Sequence, residues 1–173
     1  MVHPVGLGSK TTHSLLDIAE SIRDLLFREY NKDAKYRDAG LMPFRGRYLG
    51  RQGAPIVVKP ALSVAFGAVL YEDAPQDAGA DVDAEVKIFL FGTEKTSGAQ
   101  FVEAVRMVEA ARHIIIDNPT MPTKEGSEQV FQLGYGQMRA EFTEEVFKNF
   151  SGEVVGCEVG IITARAVFAE KGY

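Results

Sequence analysis

Four side chains offer acid–base or nucleophilic chemistry by type: His3, His13, His113 and Cys157. Such groups need partners at defined spacing. A zinc site takes three or four His, Cys or carboxylate ligands, often as a His-x-x-x-His pair on one helix face. No histidine here has a second histidine or a cysteine at such spacing. His113 falls near the end of a predicted helix, where a positive charge suits the helix dipole. Cys157 has no basic residue near it in sequence and reads as a buried strand cysteine. Gly134-Tyr135-Gly136 is a lone Gly-x-Gly, without the third glycine and following helix that cradle phosphate. Neither a Gly-x-Ser-x-Gly elbow nor a Walker-type lysine loop occurs. Asp81, Asp83 and Glu85 share one face of a predicted strand. Such a row can hold a hard cation such as calcium; its ordinary role is a solvated face that blocks edge-to-edge pairing. Glu144-Glu145 reads as a surface charge pair. We therefore expect no catalytic residue, no cofactor-binding residue and no metal ligand, and a chain that is not an enzyme.

The segment Phe44-Arg45-Gly46-Arg47-Tyr48-Leu49-Gly50-Arg51 carries a different signal. It sets three arginines and two aromatics on a glycine-containing backbone. Arginine and tyrosine are enriched where proteins contact one another. Phe44, Arg45, Arg47, Tyr48 and Arg51 are thus the candidate interface residues. The alternative is a surface loop whose Phe and Tyr tuck under a sheet. Charge is uneven along the chain. Residues 1–60 hold 10 Lys+Arg against 6 Asp+Glu, and residues 61–173 hold 9 against 18, within a net charge of −5. A basic third and an acidic remainder can attract like subunits through unlike patches. The lack of a broad basic face argues against sequence-specific nucleic-acid binding.

These residues need a scaffold. At 173 residues with 46% hydrophobic content, the chain is long enough to bury a core without disulfides, and one cysteine permits none internally. No run approaches the ~20 apolar residues that span a bilayer. The N-terminus lacks a basic region followed by an apolar core, so a secretory signal is not expected. Residues 1–13 read as a flexible arm and 14–173 as a single α+β domain.

Ser14 and Asp17 form a capping box for a helix over 15–30, with Leu15, Ile18, Ile22, Leu25 and Leu26 on one stripe. Periodicity fails over 31–59, which is broken by glycines and prolines. Ile56-Val57-Val58 is a short strand candidate. In 62–71, Val64, Phe66, Ala68 and Leu70 alternate with Ala65, Gly67, Val69 and Tyr71; both sets are apolar, which predicts a central strand. Residues 72–80 read as an acidic mobile loop that orders on docking. The clearest alternation follows, with Val82, Ala84, Val86, Ile88 and Leu90 inward and Asp81, Asp83, Glu85 and Lys87 in water. A second helix starts at Ser97, with Gln100 three residues on, and ends at Asn118-Pro119. Strand-like runs cover 130–142, bent at its glycines, and 153–169. Residues 143–152 are a turn or short helix. The predicted fold is a mixed, mainly antiparallel sheet with two main helices packed on one face.

This order is helix, arginine and aromatic loop, strands, helix, final strands. It resembles the tail terminator proteins of tailed bacteriophages over residues 14–169. The resemblance implies a structural virion protein without catalytic residues or cofactor. Subunits of that family form a ring, usually of six, at the head-proximal end of the tail tube. The ring halts tube growth and joins the tail to the neck, so the implied partners are like subunits, tail tube and neck or connector proteins. DNA can pass through such a ring. The implied location is the virion tail or neck, assembled in the host bacterial cytoplasm. The length of 31–59 leaves open a neighbouring neck or tail completion protein. A small enzyme of unrecognised type and a monomeric adaptor are the rival classes.

Overall fold

A computed structural model describes residues 15–51, 58–73, 80–123, 130–134, 136–148 and 151–170. The expected N-terminal arm, the Ser14 cap, Ile56-Val57 and most of the 72–80 loop lie outside those residues.

The first helix, α1, spans Leu15–Lys32, two residues longer than its apolar stripe requires. Ile18, Ile22, Leu25, Leu26 and Tyr30 are buried along that stripe. A short helix, α2 (Ala34–Asp38), follows where periodicity predicted none. Its cause is local: the Asp33 carboxylate accepts the Lys35 amide at 3.0 Å and so caps the turn. That turn buries Tyr36, whose ring stacks on Tyr30 with centroids 5.3 Å apart. The third helix, α3, spans Ser97–Asp117. Thr96, not Ser97, is its N-cap residue, with extended backbone and no side-chain capping bond. Gln100 turns outward instead: its amide nitrogen donates to Gly156 O and its oxygen accepts from Glu158 N–H.

Among the described residues, seven strands form one sheet: β1 (Gly46–Leu49), β2 (Ala61–Asp73), β3 (Ala80–Phe91), β4 (Thr120–Pro122), β5 (Val130–Leu133), β6 (Arg139–Lys148) and β7 (Val154–Glu170). Their order is β1-β2-β3-β7-β5-β4, with β6 also paired to β7. Of these strands β1 and β2 run parallel, and the other described pairs are antiparallel. The fold is therefore α+β with a mixed, mainly antiparallel sheet, as expected.

Three expectations need correction. The alternation in β2 does not run unbroken, because the register against β3 shifts between Phe66 and Val69. Phe66 opposes Val86 and Val69 opposes Ala84, so β2 carries one extra residue there. A bulge of this kind returns Val69 and Tyr71 to the side of Val64 and Phe66. The 130–142 run is two strands, separated where Gly134 and Gly136 take φ of 78° and 77°. Residues 143–148 are neither turn nor helix. They continue β6, paired with β7 from Thr143↔Val159 to Lys148↔Val154, and that ladder satisfies their backbone groups.

The helices cover one face. Val82, Ala84, Val86, Ile88 and Leu90 of β3 pack there with Ile162, Ala164, Ala166 and Phe168 of β7 and the buried stripes of α1 and α3. Burial of one such aliphatic side chain contributes about 1.5–3 kcal/mol, so this layer is the main source of stability. Gly160 lets α3 approach β7. A Cβ there would lie 2.6 Å from Val108 Cγ2.

Candidate interaction surfaces

The arginine segment wraps the β1 edge of the sheet onto its open face. Phe44 is buried, its ring centroid 4.0 Å from that of Tyr30. Asn31 locks it in place: the Phe44 amide donates to Asn31 Oδ1 at 2.7 Å, and Asn31 Nδ2 donates to Phe44 O at 3.0 Å. Phe44 therefore anchors the segment from inside. Arg45 is exposed, while its amide donates to Pro60 O at 2.8 Å. Arg47 Nη1 meets Asp24 Oδ1 at 3.1 Å, and its guanidinium sits 4.8 Å from the Phe27 ring centroid. Tyr48 packs against the open-face cluster of Ala61, Ala65, Phe89, Phe91, Cys157 and Val159. Exposed Arg51 lies over Phe89 at 6.0 Å. The two aromatics thus hold the segment and the arginines remain at its surface.

The carboxylate row of β3 is divided. Arg165 Nε donates to Asp83 Oδ1 at 3.0 Å, and Nη2 contacts Oδ2. This hydrogen-bonded cation holds the Asp83 carboxyl below its ordinary range, against a smaller opposing push from burial. Lys87 Nζ lies 3.9 Å from Glu85 Oε1. Asp81 instead sits directly opposite Glu72 of β2, and both are exposed. Among the described residues, no group of three or more His, Cys, Asp or Glu is gathered around a common point that could hold a metal ion.

Beside Glu72 and Asp81 the sheet end forms a groove of about 740 Å³. Leu70, Tyr71, Val130 and Gln132 contribute to its walls. Leu70, Tyr71 and Val130 are 66%, 53% and 54% exposed, high for large apolar side chains. A second exposed apolar stripe lies at the opposite end of β7. There Phe101 meets Phe142 at 6.0 Å between centroids, with Val146 and Val154 also exposed. Neither patch was singled out in the sequence. Each draws on strands far apart in the chain, and single exposed apolar residues in one segment carry no signal.

The groups with chemical potential lie apart. His113 is exposed on α3. Cys157 is buried, and Lys59 Nζ approaches its Sγ at 3.8 Å across 98 residues of sequence, a basic neighbour that local inspection could not find. Burial pushes the thiol up and outweighs the opposing pull of Lys59. Gly134 and Gly136 lead into β6 rather than a helix, so their amides do not form a helix-terminal phosphate site. His3, His13 and Tyr135 lie outside the described residues. Among the described residues, no helix is long and apolar enough to cross a membrane.

No family model and no curated protein matches the chain. Among matching solved structures, a chain of the virion of a native gene transfer agent particle is similar at TM-score 0.35 and 14% identity, over 88% of this chain and 97% of that one.

Proposed function

We propose that the chain is a structural virion protein rather than an enzyme. Its subunits assemble, as a ring of six, at the head-proximal end of a phage tail, where the ring terminates the tube and joins it to the neck. The supporting observation is the architecture itself. Helices cover one face of a mixed sheet, an arginine and aromatic segment is strapped to one edge, and exposed apolar patches lie at both ends of β7. A ring needs two different patches on each subunit, so that each copy contacts the next in the same way. Arg45, Arg47 and Arg51 form the basic patch of this assembly, with Phe44 and Tyr48 holding them in place. Tail tube and neck proteins dock on the two rims, and the protein resides in the virion after assembly in a bacterial cytoplasm.

Negative-stain microscopy of the purified protein tests this reading. Closed rings with a central channel support it. Isolated particles of single-subunit size at high concentration count against it and favour an adaptor.

A further inference from the structure

We propose that the groove at the Glu72–Asp81 end of the sheet is the acceptor for the Arg45–Arg51 segment of a second copy of this chain. The inference rests on the ring reading and adds the identity of the two contacting patches.

Glu72 and Asp81 are direct cross-strand partners. Like charges in that position destabilise a sheet. Among the described residues, neither carboxylate has a cation beside it, whereas Asp83 has Arg165 and Glu85 has Lys87. The couple thus stands ready for a positive charge from outside. Leu70 and Val130, on the same face of the sheet as Glu72 and Asp81, are apolar and exposed. The matching occupant combines a cationic head with an apolar or planar body, which describes arginine. Arg45 and Arg51 are both exposed on one short segment. Arg47 is already held by Asp24 and Phe27, so it braces the segment rather than entering the groove.

The positions of the two patches rule out self-contact. Strand β1 pairs with the start of β2, its last residue Leu49 opposite Val64. The groove begins at Leu70, six residues further along β2, or about 20 Å at strand rise. An arginine side chain does not reach that far. The two patches therefore meet only between copies, and the contact is head-to-tail, the kind that closes into rings.

Two charge-reversed full-length proteins test this. One carries Glu72→Lys with Asp81→Lys, the other Arg45→Glu with Arg51→Glu. All four positions are exposed, so folding is expected to survive, and circular dichroism checks it. Each variant alone should self-associate about tenfold more weakly or worse than the parent. Mixed in equal amounts, they should regain association, because each then offers the charge the other lacks. Parental association in either variant alone, or no recovery on mixing, overturns the groove assignment while leaving the ring reading intact. A parent protein that never self-associates overturns both.

Discussion

The two faces of this sheet are built from the same strands, yet they obey different rules. On the helix-covered face, every inward position of β3 from Val82 to Leu90 is apolar and buried. On the open face, the intervening positions change character along the strand. Phe89 and Phe91 sit under Tyr48 and Arg51, Glu85 and Lys87 pair with each other, and Asp81 confronts Glu72. The covered face is uniform because helices exclude water along its whole length. The open face is graded because only one end is covered by the arginine segment. Stability is concentrated on the first face, and the capacity to contact other molecules on the second.

The contrast can be broken most forcefully from the covered side. Ile88→Ala, at a fully buried position, should lower stability by about 2–5 kcal/mol, read from urea unfolding, without changing association per folded subunit. Gly160→Val should cost about 1–3 kcal/mol, because its side chain would collide with Val108 where α3 approaches β7. If Gly160→Val leaves the melting temperature unchanged, the helix does not sit where described.

Open-face changes should be smaller and sensitive to pH. Asp83→Asn removes one half of a partly exposed pair with Arg165, a loss of about 0.2–1 kcal/mol at neutral pH. The Asp83 carboxyl is held below its unfolded value, so its contribution is present above the ordinary carboxylate range. That contribution falls away as pH drops through the folded value. The parent and Asp83→Asn should therefore converge in strong acid; a constant gap would show that the charge is not the cause. Smallest of all, Glu72→Gln should stabilise the isolated subunit by a few tenths of a kcal/mol, up to about 1, by relieving the facing carboxylates. Loss of stability there would mean that Glu72 already has a cation.

Local pattern made much of the covered face legible. The stripe Ile18, Ile22, Leu25 and Leu26 and the alternation from Asp81 to Leu90 both fix which side is buried, and both lie where expected. Features set by long-range pairing were not legible. The bulge after Phe66 depends on the register with β3, and the strand over 143–148 depends on the ladder to β7. The α2 turn depends on one Asp33 cap. The arginine segment stood out by composition. Its division into anchors and surface groups required Tyr30 and Asn31 from α1 and Phe89 from β3. The groove joins β2, β3 and β5 with the end of β7, so no single segment announces it.

The most direct test of the account is the solution mass of the full-length protein, measured by light scattering after size exclusion over a range of concentration and salt. A ring of six predicts association toward six times the 19.0 kDa subunit mass, weakened as salt screens the arginine–carboxylate contacts. A single 19.0 kDa species at every concentration, in low salt as in high, would contradict it.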